Sequence, residues 1–166
     1  MKSSLKFDQL FKSIHKSSTI ILVGFMGSGK TTFGKELAAK LNYQFLDTDK
    51  ELEVLVGMSV NEIFKKKGET YFRRLERQLI EKIAVQKTVI ATGGGMPCFF
   101  DNMDYLNRIG VTVYLRYSAE QLFERLKEDG GSRPLLNNKS SDELFDYIES
   151  LLNEREKFYL KAQTTF

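Results

Sequence analysis

Tryptophan is absent, and cysteine and histidine occur once each. No apolar run approaches the length of a membrane span, so no membrane partner is expected. A single cysteine, Cys98, excludes an internal disulfide and suits a reducing compartment, so a cytoplasmic location is expected. No His or Cys lies near it in the sequence, so Cys98 reads as an inert thiol rather than a reactive one. The lone histidine, His15, sits in a polar stretch, which argues against a catalytic or metal role. Residues 1–18 lack the long apolar segment of a secretory signal. Repeats, low-complexity tracts and linkers are lacking too, so the 166 residues suit one domain with one core. The net charge of +3 is a mild excess that would attract anionic small molecules without requiring nucleic acid. The 13 phenylalanines point to core packing.

What is present is organised around Gly24-Phe25-Met26-Gly27-Ser28-Gly29-Lys30-Thr31, which matches the phosphate-binding pattern G-x-x-x-x-G-K-[ST]. Thr19–Val23 before it reads as a buried strand, and Thr32–Leu41 after it has Phe33, Leu37, Ala38 and Leu41 at helical spacing. Strand, glycine loop and helix together supply the context that the bare pattern needs. Backbone N–H groups of Gly27, Ser28, Gly29, Lys30, Thr31 and Thr32 can turn into one concavity, helped by the partial positive charge of the helix start. Lys30 brings a full charge for the β- and γ-phosphates, and the Thr31 hydroxyl can ligate Mg²⁺.

The remaining chain alternates strands and helices. Strands are expected at 43–47, 88–92 and 111–115, and 162–166 reads as the start of a fifth. Helices are expected at 49–56, 59–66, 69–85, 101–108, 119–128 and 141–160, with Ser59 and Glu62 forming a capping pair. Residues 1–18 form a short docked helix or a loose arm, and 129–140 a mobile loop. Alternation of this kind implies a parallel sheet covered on both faces, with ligands at the carboxyl ends of its strands. Three stretches follow strands directly: the phosphate loop, Asp47-Thr48-Asp49 and Gly93-Gly94-Gly95.

Asp47 and Asp49 allow two readings. One is a helix cap; the other is a pair in which one carboxylate serves Mg²⁺ and the other an attacking hydroxyl. Gly93, Gly94 and Gly95 are more than a turn needs and suggest N–H groups that approach a ligand closely. Arg73 and Glu76 are three apart on one helix and nearly share a face. Arg155 interrupts an apolar series, and needs either a ligand anion or a protein carboxylate. Arg74, Arg77 and Lys65–Lys67 read as a solvated face. Arg133 in the mobile loop could close over phosphates and exclude water.

Taken in order, these stretches resemble the shikimate kinases over about residues 19–159. The likeness rests on the phosphate loop with Met26 inside it, Asp47-Thr48-Asp49, and Gly68-Glu69-Thr70-Tyr71-Phe72-Arg73-Arg74-Leu75-Glu76 as G-E-x-x-F-R-x-x-E. Gly93-Gly94-Gly95, Arg133-Pro134-Leu135-Leu136 and Glu154-Arg155 with Tyr159 complete it. The resemblance implies a three-layer α/β P-loop kinase fold with a central parallel five-stranded sheet, a small acceptor-binding helical region and a lid. It implies transfer of the ATP γ-phosphate to the 3-hydroxyl of shikimate, with Mg²⁺, on the route to chorismate and the aromatic amino acids. By similarity Asp49 would hold the shikimate hydroxyls and assist deprotonation. Arg73, Arg155 and Gly93–Gly95 would hold the carboxylate and ring substituents, with Glu76 positioning the arginines. Asp47 and Thr31 would serve Mg²⁺, Lys30 and Arg133 the phosphates, and Arg125 the adenine. Two features differ from the family pattern. Residues 1–18 form a longer lead, and Phe166 falls within the last expected strand, where the family continues with a loop to adenine and a closing helix. Weaker adenine binding or lower stability is the expectation from that end. The competing readings are a kinase of another small hydroxy acid and a catalytically silent nucleotide-binding regulatory domain. A monomer is expected.

Overall fold

Ile20–Val23 form the first strand, β1, and all four side chains are wholly buried. Alternation sends them two ways. Ile21 and Val23 join one core cluster, and Ile20 and Leu22 join another on the opposite face of the sheet. Each such side chain contributes about 1.5–3 kcal/mol by leaving water. β1 is therefore the spine of a two-sided core.

The computed structural model describes residues 19–83, 86–128 and 140–166. The expected arm 1–18, Arg133 and nearly all of the expected lid lie outside those residues. In chain order the elements after β1 are α1 (Lys30–Leu41), β2 (Gln44–Asp47), α2 (Thr48–Val56), α3 (Val60–Lys67), α4 (Glu69–Lys82) and β3 (Thr88–Ala91). A 3₁₀ turn at Met96–Cys98 leads to α5 (Asn102–Ile109), β4 (Val111–Tyr114), α6 (Ala119–Glu128), α7 (Ser141–Tyr159) and β5 (Thr164–Thr165). The sheet is parallel, five-stranded and ordered β2-β3-β1-β4-β5. Helix α1 covers one face through Leu37 and Ala38. Helices α4 to α7 cover the other through Ile80, Met103, Leu106, Leu122, Ile148 and Tyr159. Helices α2 to α4 enclose a third, smaller cluster of Leu52, Ile63 and Phe72 beside the sheet.

The expected elements are present, with shifted ends. The helix after the phosphate loop begins at Lys30, because Gly29 in the left-handed region serves as its N-cap. Ser59 and Glu62 form the capping box read from the sequence, and Ser140 with Glu143 forms another at α7. Helix α4 ends at Lys82, with Ile83 already extended, and the end of the expected 69–85 lies outside the described residues. The 3₁₀ turn was not foreseen. The last strand is two residues long, extended by Phe166, whose N–H donates to the Tyr114 carbonyl at 2.8 Å.

Helix α1 can lie close to the sheet because residue 34 has no side chain. A Cβ there would come within 2.6 Å of the Phe45 ring and 3.1 Å of Leu22. Gly34→Val is expected to lower stability by about 2 kcal/mol, overpacking outweighing any gain in helix propensity. The measurement is the urea midpoint at constant m-value. An unchanged midpoint would mean that α1 has room to shift.

Candidate active site

The phosphate loop leaves β1 and doubles back into α1. Gly24, Gly27 and Gly29 have φ of 145°, 79° and 81°, a region that side-chain-bearing residues rarely adopt. The Ser28 N–H closes the bend on the Phe25 carbonyl at 3.2 Å, and Ser28 itself is buried. Lys30 folds back on its own loop and donates to the carbonyls of Gly24 at 2.9 Å and Phe25 at 2.7 Å, and to Ser28 Oγ at 3.3 Å. The ammonium is thus held against the loop from which phosphates would be bound.

Asp47 ends β2 and forms the helix cap, with its second oxygen turned to Thr31. Its Oδ1 caps α2 by accepting from the N–H groups of Asp49 and Lys50, at 3.1 Å and 3.4 Å. Its Oδ2 accepts from the Thr31 hydroxyl at 2.7 Å. One hydroxyl and one carboxylate side by side suit a hard cation that keeps its waters and takes further oxygens from phosphates, as Mg²⁺ does.

Asp49 stands one step into α2. Burial, and then the charge of Asp47, hold its carboxyl above the usual range. It faces the triple glycine, and a Cβ on Gly93 would lie 2.5 Å from Asp49 Oδ1 and 3.1 Å from Glu76 Oε1. On Gly95 it would lie 2.6 Å from the Arg73 guanidinium, and on Gly94 3.1 Å from the Met26 backbone nitrogen. The glycines are needed for room. The Gly93 N–H donates to Thr48 Oγ1 at 2.9 Å, and the Gly94 carbonyl accepts from the Tyr159 hydroxyl at 2.5 Å.

Arg73 and Glu76 form a buried pair on α4. Arg73 Nη1 donates to Glu76 at 2.7 Å, while Nε and Nη2 donate to Glu69 at 3.1 Å and 2.9 Å. Helical spacing in the sequence gives Phe72, Leu75, Leu79 and Ile83 as the apolar stripe of this helix, but its buried residues are Phe72, Arg73, Glu76 and Ile80. Glu76 is 0% exposed, and its Oε1 has no hydrogen-bond partner among the described residues. Burial pushes Glu76 up to about 7, although Arg73, and more weakly Arg155, pull the other way.

A cleft of about 640 Å³ opens over all of this. It is lined by Gly27, Gly29, Lys30, Thr31 and Thr32 on the phosphate side and by Asp49, Arg73, Glu76, Gly93–Gly95 and Arg155 on the other, with Asp47 between. Arg125 stands at its edge, 4.0 Å over the Tyr117 ring. Ser28 does not line it, and Arg133 lies outside the described residues. Arg77, expected on a solvated face, instead pairs with Asp101 and donates to Asn102 at 3.2 Å. Burial pushes Cys98 up to about 11, in keeping with an inert thiol.

The family model for shikimate kinase matches residues 26–166. The chain belongs to the shikimate kinase family. A shikimate kinase of Bacteroides thetaiotaomicron is 46% identical over 148 residues, 89% of this chain and 85% of that protein. The crystal structure of a shikimate kinase from the same species superposes with a TM-score of 0.87, covering 90% of this chain and 86% of the other at 45% identity. A shikimate kinase from Acinetobacter baumannii, solved in complex with shikimate, covers 95% of this chain and 86% of its own at 34% identity, with a TM-score of 0.80. Thr48 was not read as part of the site, and Tyr159 came only from the resemblance. Thr48 lay in view between two aspartates, but nothing in the chain marked its hydrogen bond to Gly93.

The Glu76 carboxyl binds protons more tightly folded than unfolded. From about pH 4.5 to pH 7 the folded chain keeps a proton that the unfolded chain releases, so this group's contribution to stability falls as pH rises through that window. Glu76→Gln removes the titration. The stability of the variant relative to the parent, read from urea midpoints, is expected to rise from about pH 5 to about pH 8. A pH-independent difference would mean that Glu76 titrates as an ordinary carboxyl.

Proposed function

We propose that the chain catalyses ATP-dependent phosphorylation of shikimate at its 3-hydroxyl, giving shikimate 3-phosphate and ADP, in the biosynthesis of chorismate and the aromatic amino acids. The observation that carries this reading is the single cleft that holds the phosphate loop, Asp49, Arg73 and Arg155 together. A hydroxylated ring acid needs cations for its carboxylate and acceptors for its hydroxyls, and the far half of the cleft offers both. The related kinase solved with shikimate supports the same acceptor. A kinase for another acid would need a different acceptor set. A silent regulatory domain would have no use for Asp49 and Lys30 on one cleft.

In this proposal Arg73 and Arg155 bind the carboxylate of shikimate, and Glu76 fixes Arg73 through its 2.7 Å bond. Gly93, Gly94 and Gly95 leave the space that the ring occupies. Asp49 accepts from the acceptor hydroxyl and takes its proton as the oxygen attacks phosphorus; its raised affinity for protons suits that role. The backbone of Gly27–Thr32 and the Lys30 ammonium hold the phosphates, with Arg133 joining them and Arg125 beside the adenine. Thr31 and Asp47 would hold Mg²⁺, which neutralises phosphate charge when bound. The enzyme works as a cytoplasmic monomer in the same proposal, the single cysteine suiting a reducing compartment.

A coupled assay of ADP release with ATP, Mg²⁺ and shikimate, gluconate, nucleosides or no acceptor tests the reading. Turnover that ignores shikimate, or none from well-folded protein, would remove it. Asp49→Ala is expected to lower kcat by about 10²–10⁴-fold with ATP affinity little changed. Arg155→Ala is expected to raise the KM for shikimate by about 10–100-fold, the loss of one charged hydrogen-bonding partner. Equal loss of nucleotide binding in both variants would put the acceptor pocket elsewhere.

A further inference from the structure

The Arg73 guanidinium has a neighbour that the hydrogen bonds do not explain. Three of its five N–H groups donate to Glu69 and Glu76, which leaves two for a ligand. These bonds fix where the group lies in its own plane. Its tilt depends on what lies against its faces. The Phe99 ring centroid is 4.2 Å from Arg73 Cζ, against 5.5 Å for both Phe64 and Phe72. Phe64 and Phe72 line the cleft, and Phe99 does not. The face of an aromatic ring carries negative charge density and attracts a cation within about 6 Å.

The loop that presents Phe99 is held for the purpose. Asn102 is wholly buried beneath it; its Nδ2 donates to the Met96 carbonyl at 2.9 Å and its N–H to the Phe99 carbonyl at 3.2 Å. The Asn102 Oδ1 accepts from Arg77 at 3.2 Å, which ties the loop to α4. Phe100 takes φ of 52°, a conformation unfavourable to a side-chain-bearing residue, and is 61% exposed. The strained turn sends one phenylalanine out to water and keeps the other over the arginine.

We infer that Phe99 is a positioning residue for the acceptor carboxylate: its ring is a platform that sets the plane of Arg73. This rests on the reading of Arg73 as a ligand of that carboxylate. The carboxylate is not the reacting group, so the platform acts on binding more than on the chemical step.

Steady-state kinetics on the full chain, varying shikimate and ATP in turn, test it. Phe99→Leu keeps an apolar side chain and removes the ring. The KM for shikimate is expected to rise about three- to tenfold, with kcat and the KM for ATP within about twofold. Phe99→Tyr restores the parent value within about twofold, and Phe100→Leu leaves it unchanged. In an Arg73→Gln background, Phe99→Leu adds less than about twofold, because the cation it orients is gone. An unchanged shikimate KM in Phe99→Leu overturns the inference alone. So does an equal loss in Phe99→Leu and Phe99→Tyr, a parallel rise in the KM for ATP, or a full effect in the Arg73→Gln background. If the parent protein does not turn over shikimate, the function falls and this inference with it.

Discussion

Strands β2, β3 and β1 lie side by side, and their register puts Asp47, Ala91 and Leu22 at one level across the sheet. Two residues beyond that level the chain reaches Asp49, Gly93 and Gly24. Hydrogen bonding continues past the strand ends, where Thr92 donates to the Leu22 carbonyl through its N–H at 3.1 Å and its hydroxyl at 3.0 Å. The phosphate loop, the paired aspartates and the triple glycine are therefore next to one another because parallel strands in this order must end together. A pocket for two ligands needs both halves within bonding distance of the reacting atoms, and the sheet provides that before any side chain contributes.

The same crowding dictates which residues can stand there. Each of the three glycines is hemmed in by a different group: Asp49 and Glu76 at the first, the Met26 backbone at the second and the Arg73 guanidinium at the third. A side chain at any of them would push a charged group or the loop itself out of place. Steric exclusion thus links the acceptor half of the cleft to the phosphate half. Met26 belongs to the loop, yet its backbone nitrogen is what a side chain at Gly94 would meet first.

What could be read from the sequence was whatever carried a fixed spacing. The G-x-x-x-x-G-K-[ST] pattern, the alternation of strands and helices, and the Ser59–Glu62 box are local, and local rules found them. Arg155 could be read because a charge broke an apolar series. Arg73 and Glu76 could be read as sharing a face, but not as the buried face, because a hydrophobic stripe count prefers Leu75 and Leu79 to a charged pair. Their burial is eased by the short bond between them and by two phenylalanines, on α3 and α4, against Arg73. Contacts between residues far apart in sequence, such as Tyr159 with Gly94 and Asn102 with the Met96 loop and Arg77, carry no spacing signal at all. The start of α1 moved for a local reason: Gly29 in the left-handed region caps the helix, which begins two residues before the expected Thr32.

The site is not built for stability. A buried carboxylate oxygen without a partner costs about 1–3 kcal/mol, and Glu76 Oε1 is such an atom. Asp49 sits near another carboxylate, and Phe100 holds an unfavourable backbone angle. Glu76 bonds Arg73, Asp49 feels its charge and Phe100 follows the ring that lies over it, and each cost has a cheaper alternative in the ordinary amino acids. A glutamine at 76, an asparagine at 49 or a glycine at 100 would relieve its part. Chains keep such strain where the arrangement serves a ligand. Arg73 keeps two N–H groups that Glu69 and Glu76 do not take, and Asp49 lines the same cleft. The charges that carry these costs are the ones the proposed function assigns to the acceptor.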